Sequence, residues 1–425
     1  MSSSTLEVTT RHPVSRQAWA GLGDVPSGAR ARLAGPVARL LVERTARRLG
    51  VTVGPEPAAD LVLHRPDEFY ARLGTDGLIG FGEGYLTGAW DAADLTGTLT
   101  TLCSSIDSLV PAWMQRMRAA YVARPPRTEH NSINHARDNI ARHYDLSNAL
   151  FRTFLDSTMS YSAALFDAAV HDRGDHLLAG APNTDEPFED AQARKIERIL
   201  DQARVGPGSR VLEIGTGWGE LAVRAAARGA RVRTVTLSSS QQNTARRRVL
   251  AAGYADVVDV DLADYRTVTG SYDAIVSVEM IEAVGHEFWA TYFKKIDDLL
   301  APGGSVAIQA ITMPHQRMLA TRNTWTWINK YIFPGGFLPS VQAIEEVTRT
   351  HTTLQVTDRL SFGGHYAETL RRWDEAFLAA EERVADLGFD DVFRRMWHFY
   401  LCYSRAGFAS GYLDVQQLTL SREGR

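Results

Sequence analysis

RVLEIGTGWGE, residues 210–220, is the stretch from which the fold of this chain can be read. Val211, Leu212 and Ile214 mark a buried strand, and Gly215, Gly217 and Gly219 follow in a tight turn that opens a helix. Glycines in such a turn let backbone amides approach a ligand and set a helix N-terminus beneath it. Dinucleotide-binding domains use nearly the same turn with the spacing G-x-G-x-x-G. Here the spacing is G-x-G-x-G, and Glu213 stands in the strand just before it. A carboxylate at that point repels a pyrophosphate but suits the cationic, amino-acid-bearing S-adenosylmethionine.

Further strands flank this one: VRTVTL (232–237), DVVDVDL (256–262), DAIVSVEM (273–280) and SVAIQAIT (305–312). Helical segments separate them, so the region from about residue 130 reads as a parallel sheet with helices on both faces. Thr236, Ser238 and Gln241 follow the second strand, where neutral groups can hydrogen-bond a ribose. Asp264 and Tyr265 of LADYR follow the third, where Tyr265 can stack on an adenine and Asp264 can accept from its amine. Residues 168–187 are polar and rich in breakers and read as a loop insertion.

A chain of 425 residues is long for one domain, and the expected division is 1–122, a linker at 123–137 and a second domain at 138–425. Residues 51–110 read as a small α/β unit, with short strands in VTVGPEP and LVLHRPDEFY and a turn-rich structural segment in DGLIGFGEGYLTGAWD. A helix is expected over 111–122. Residues 27–50 carry six arginines against one glutamate, with Leu33, Val37, Leu40 and Leu41 at helical spacing. Such a stripe packs on its own domain or meets anionic headgroups, and Pro36 should start or interrupt the helix. A net charge of −4 argues against a nucleic-acid binder. Cys103 and Cys402 lie in no metal or disulfide spacing, and His143, His315 and His365 form none, so no metal is expected. No apolar run reaches the ~18 residues of a membrane span and no signal-like leader opens the chain. The expected location is the cytoplasm, peripheral to the inner face of the membrane.

Six stretches resemble the cyclopropane-fatty-acyl-phospholipid synthases and mycolic acid methyltransferases: HYDLSNALFRTFLDSTMSYSAALF (143–166), VLEIGTGWGELA (211–222), TLSSSQQ (236–242), SVEMIEAVG (277–285), WINKYIFPGGFLPS (327–340) and FGGHYAETLRRW (362–373). The resemblance implies a class I methyltransferase fold, α/β with a Rossmann-like, mostly parallel seven-stranded sheet, beside a smaller N-terminal α/β domain. It implies S-adenosylmethionine as donor and an unsaturated phospholipid acyl chain as acceptor. By position, Tyr161, Ser162, Gly215, Gly217, Thr236, Leu237, Gln241 and Tyr265 correspond to cofactor contacts. The family also holds a bicarbonate ion, and Glu282, Ile311 and Tyr366 keep three of the five positions around it. The other two are changed, to Ala163 from cysteine and to Gln309 from histidine.

An alkene attacking a sulfonium methyl becomes a carbocation, which then has to lose a proton to a base. Immediate loss from the new methyl closes a cyclopropane, whereas loss after a hydride shift leaves an exocyclic methylene. Gln309 cannot carry a proton, and Ala163 removes a side chain, so the expected product is a methylene-branched chain, with a cyclopropane as the alternative. Resemblance to the branch of the family that makes 10-methylene stearoyl lipids implies a 10-methylene stearoyl-like product. A homo-oligomer is compatible with the sequence, and a methylene product calls for a reductase partner. Trp325, Trp327, Tyr331, Phe333 and Phe337 read as the wall and lid of an acyl tunnel. Competing readings are a methyltransferase for a small polar acceptor and a catalytically silent lipid-binding subunit.

Overall fold

The computed structural model describes residues 19–105 and 148–422. The expected linker, the start of the second domain and the helix at 111–122 lie outside the described residues. Among the described residues two compact units form, and their division is not the simple N-terminal and C-terminal one that the composition suggests. One unit gathers residues 19–105 with 324–331 and 377–410; the other gathers 148–323, 332–376 and 411–422. Aromatic packing explains why late segments join the first unit. Phe399, on the helix Asp391–Ala409, meets Phe81, Tyr85, Trp90 and Trp327 with ring centroids 4.8–6.4 Å apart.

The larger unit is built on a nine-stranded sheet. Its strands are β4 (Val170–Asp172), β5 (Leu177–Ala179), β6 (Arg210–Ile214), β7 (Arg231–Thr236), β8 (Val258–Leu262), β9 (Tyr272–Val278), β10 (Leu300–Thr312), β11 (Leu354–Ser361) and β12 (Asp414–Arg422). They follow the order β4-β5-β11-β12-β10-β9-β6-β7-β8, numbered so that β1–β3 belong to the smaller unit. The seven strands from β6 to β12 are the expected sheet, parallel from β10 to β8, with β12 antiparallel to its neighbours β10 and β11. The two added strands come from the stretch read as a loop. There β4 and β5 pair antiparallel, and β5 continues the sheet beside β11. In β6, four of five residues are buried, as a central strand covered on both faces requires. One apolar cluster around Ile196, Ile199, Leu221 and Val249 covers one side. A second, around Tyr292, Phe293, Ile296 and Ile344, covers the other. The chain runs β6, β7, β8 to one edge and then returns to β9 on the far side of β6, and that reversal creates a ligand crevice at the strands' C-terminal ends.

The smaller unit holds a three-stranded sheet of β1 (Val53–Gly54), β2 (Leu61–Leu63) and β3 (Trp90–Asp91). Two local expectations change here. Pro66–Asp76 is helical, so only the first three residues of LVLHRPDEFY are strand, and the glycine-rich segment is also a helix, Leu78–Leu86. Tertiary packing overrides weak helix propensity at these glycines. A Cβ on Gly80 would lie 2.0 Å from the Arg72 carbonyl oxygen, one on Gly82 2.5 Å from the Trp327 ring, and one on Gly84 3.0 Å from the Trp90 ring.

The first helix, Ala29–Leu49, runs through Pro36 instead of stopping there. It packs through small residues, Ala31, Gly35, Ala38 and Ala46, while Leu33, Val37 and Leu40 face outward at 75%, 48% and 64% exposure. The apolar stripe is therefore not the packing face. None of the described helices is long and apolar enough to cross a membrane.

Because the contact at Gly80 is with backbone and cannot yield, Gly80→Ala is expected to destabilise the protein by about 1–3 kcal/mol. Denaturant unfolding of the two proteins side by side measures this.

Candidate active site

The crevice at the C-terminal ends of β6, β7, β8 and β9 encloses about 950 Å³, its open mouth included. Gly215, at φ 101°, takes a conformation that favours glycine, and a Cβ there would collide with Met280 Cγ at 2.5 Å. At Gly217, φ is 51° and an added Cβ would meet no protein atom within 4 Å. Both glycines line the crevice.

Of the residues expected to hold the cofactor, Tyr161, Ser162, Glu213, Gly215, Gly217, Thr236, Leu237, Gln241 and Tyr265 all line this crevice. Thr236 donates to Gln241 Oε1 at 2.9 Å, which fixes the pair at the end of β7. Ser238 and Asp264 are instead spent on local structure. Ser238 caps the helix Ser239–Ala251 by accepting from the Gln241 amide, and Asp264 holds Arg266 through both carboxylate oxygens. The segment carrying Tyr161 and Ser162 is tied down by Arg248, which donates to the carbonyls of Ser157 and Thr158. Tyr161 itself stacks on Trp373 at 5.1 Å.

Of the crevice residues that escaped the sequence reading, two carry chemistry central to the site. Lys195 lies on the buried stripe of the helix Phe188–Gln202, is only 2% exposed, and donates from Nζ to Ser162 Oγ at 2.7 Å. Burial pulls its ammonium down to about 8 against the raising influence of Glu279, Asp156 and Glu213. A lysine among Ala191, Ile196, Ile199 and Leu200 on a mostly apolar buried face was the available signal.

The second is Glu279, the first residue beyond β9 and part of the crevice wall. Its Oε1 accepts from the Ala163 amide at 2.9 Å and from Gln309 Nε2 at 2.8 Å, and its Oε2 accepts from the Tyr366 hydroxyl at 2.8 Å. Three of the five positions assigned to a bicarbonate site thus meet at a side chain the sequence reading did not consider. Gln309 is fixed in this orientation because its Oε1 accepts from Gln417 Nε2 at 3.1 Å. Gln417 Oε1 in turn accepts from Arg198, which is paired with Asp358. Glu279 has a φ of 50°, a left-handed backbone that costs a non-glycine residue roughly 1–2 kcal/mol. Burial raises its carboxyl above the usual carboxylate range, while its three donors and Lys195 pull it down.

Glu282 and Ile311 form a separate pair. Glu282 Oε1 accepts from the Ile311 amide at 2.5 Å, and its Oε2 is buried without a protein partner. Burial, followed by the charge of Glu279, pushes Glu282 up to about 8. The aromatics expected to form one tunnel wall divide: Trp327 and Tyr331 pack on each other within the smaller unit, whereas Phe337 stacks on Trp289 in the larger. His365 is a packing residue, accepting from the Phe166 amide on Nδ1 and donating to the Gly180 carbonyl from Nε2.

A glycine-turn crevice at the reversal point of such a sheet, with a carboxyl in the preceding strand, defines a class I S-adenosylmethionine-dependent methyltransferase. The residues fit that cofactor, since Glu213 Oε2 is buried with no protein partner and can receive a cationic amine. The sequence profile of the mycolic acid cyclopropane synthetases matches residues 131–418, and the chain belongs to that family. It is 53% identical over 416 residues to the tuberculostearic acid methyltransferase UfaA1 of Mycobacterium tuberculosis, covering 96% of each chain. It is 33% identical to the cyclopropane-fatty-acyl-phospholipid synthase of Escherichia coli, over 88% of this chain and 91% of that one. Among solved structures, the mycolic acid cyclopropane synthase CmaA1 complexed with SAH and CTAB superposes with a TM-score of 0.59 at 31% identity. That match covers 67% of this chain and 97% of CmaA1.

Burial holds Glu213 up at about 8, so at neutral pH it is largely protonated before the cofactor binds. A cation beside it favours the ionised form, so binding expels a proton. Affinity is expected to rise with pH and to level off above about 8. Calorimetry at pH 7 in buffers of different ionisation enthalpy should show up to about one proton released, and Glu213→Gln should remove that release.

Proposed function

We propose that this enzyme transfers the methyl of S-adenosylmethionine to the double bond of an oleoyl-type phospholipid acyl chain and yields a methylene-branched, 10-methylene stearoyl-like product. Similarity at 53% identity, end to end, to a tuberculostearic acid methyltransferase carries this reading.

S-adenosylmethionine supplies an electrophilic methyl when bound. The chain's part is to hold donor and alkene in line and keep water out, which is where most of the rate of such a reaction comes from. Gly215, Gly217 and Glu213 hold the donor's amino-acid end, Thr236, Leu237 and Gln241 its ribose, and Tyr265 its adenine. Glu279, held by Gln309, Tyr366 and the Ala163 amide, forms the polar end where a proton can be received, and Glu282, held by the Ile311 amide, is a second buried carboxyl that feels the charge of Glu279. Bicarbonate, which the family resemblance implies, does not fit well here. The Ala163 amide, Gln309 and Tyr366 already donate to Glu279, so no step is assigned to that ion. A rear wall with an amide where a histidine would be has no second proton carrier to close a ring quickly, and this favours the methylene over the cyclopropane. Incubation with oleoyl phospholipid, followed by proton NMR of the purified ester, should give vinylidene signals. Upfield cyclopropane signals would assign the alternative product, and methylation of small amines in place of lipid would discard the substrate class.

The reading includes docking at the inner face of the membrane, with the methylene passed on to a reductase. Outward Leu33, Val37 and Leu40, flanked by Arg30, Arg32, Arg39 and Arg44, give the first helix an apolar stripe in a basic surround. Charge reversal at Arg44, Arg47 and Arg48 is expected to weaken binding to anionic vesicles, and added salt to do the same. Sedimentation that ignores both changes would leave this helix face without a lipid role.

A further inference from the structure

We propose that Glu279 is itself the base that takes the proton from the methylated acyl chain, a resident carboxylate in the seat where the family resemblance places an exchangeable ion. The inference rests on the reaction proposed above and adds the identity of its base.

Donor geometry carries the argument. A carboxylate oxygen has two lone pairs in its plane. Both lone pairs of Oε1 are engaged, by the Ala163 amide and by Gln309 Nε2. Oε2 accepts one hydrogen bond, from Tyr366, and keeps a second position for a proton. Neither the Ala163 amide nor the Gln309 amide nitrogen can accept in return, so these contacts favour the ionised carboxylate. Gln309 cannot flip to present its oxygen without losing the bond from Gln417, whose own orientation is held by Arg198. Glu279 also lines the crevice that Gly215, Gly217 and Lys195 share, so the carboxyl belongs to the same cavity as the methyl donor's seat. A bicarbonate placed among these groups would find its donors taken and a like charge beside it. The left-handed backbone at Glu279 is a further sign that this side chain is kept in place against local preference.

The electrons balance without any additional reactant. The alkene π pair forms the new carbon–methyl bond as the sulfur–methyl bond breaks, and its pair stays on sulfur. A hydride then moves with its electron pair from the methylated carbon to the neighbouring cation. Glu279 Oε2 takes a proton from the methyl, and the released C–H pair becomes the exocyclic double bond. The proton passes to solvent after product leaves.

The test compares wild type, Glu279→Gln and Glu279→Gly on oleoyl phospholipid vesicles, in buffer stripped of carbon dioxide and in buffer with added bicarbonate. Wild type is expected to run equally well in both. Glu279→Gln is expected to bind S-adenosylmethionine within a few-fold of wild type and to lose about 100-fold or more in turnover. Glu279→Gly relieves the backbone strain but leaves three donors without their carboxylate, so its folding is checked by denaturant unfolding beside the rate assay, and bicarbonate should restore part of its lost rate. A wild-type enzyme that stops when bicarbonate is removed, or a Glu279→Gln enzyme within about threefold of wild type, would overturn the proposal. If wild type leaves oleoyl lipid unmethylated, the substrate reading fails and takes this inference with it. Methylation by wild type and Glu279→Gln alike overturns the assignment of the base alone.

Discussion

Keeping ionisable carboxyls in a dry cleft is costly unless donors or a counter-charge meet them, and this requirement organises the larger unit. Glu213, Glu279 and Glu282 are crowded around the C-terminal edge of the sheet, with Lys195 as the nearby buried cation. Each carboxyl meets the cost differently. Glu279 is given three donors, Glu282 one backbone amide, and Glu213 keeps an oxygen without a protein partner. Much of the surrounding architecture maintains these contacts. β10 presents Gln309 and the Ile311 amide, β12 presents Gln417, and the helix Gly363–Ala379 presents Tyr366. The antiparallel strand β12 therefore does more than extend the sheet, because it supplies the group that fixes the orientation of Gln309.

The parallel sheet and the cofactor crevice were legible in the sequence because both depend on local patterns. Buried parallel strands are short apolar runs, and a glycine turn between strand and helix leaves its own spacing. Glycines at 80, 82 and 84 misled for the opposite reason. They look like a turn by composition, but they serve close helix packing, Gly80 against the Arg72 backbone, Gly84 against the Trp90 ring and Gly82 against Trp327 far along the chain. The hairpin of β4 and β5 was hidden for another reason: strands of three residues are too short to show a period, and β4, at the sheet edge, is exposed throughout.

At the site, motif matching found Ala163, Gln309, Ile311 and Tyr366 but could not say which carboxyl they surround. Glu279 and Glu282 stand three residues apart in SVEMIEAVG, and the left-handed turn at 279 separates them into different environments. No periodicity in the sequence reports a single positive φ at a non-glycine residue. The end of β9 was a usable clue nonetheless, because ligand-facing groups in such sheets come directly after the strand. Lys195 illustrates the complementary case, a charge on the wrong face of an amphipathic helix, which is visible once the helix phase is known.

The backbone at Glu279 has an evolutionary reading. Glycine is the residue this conformation suits best, and glutamate and glycine codons can differ by a single base. A glycine here would leave the Ala163 amide, Gln309 and Tyr366 donating into open space, a ready cradle for a small anion from solution. One nucleotide change thus separates an enzyme that owns its base from one that borrows it.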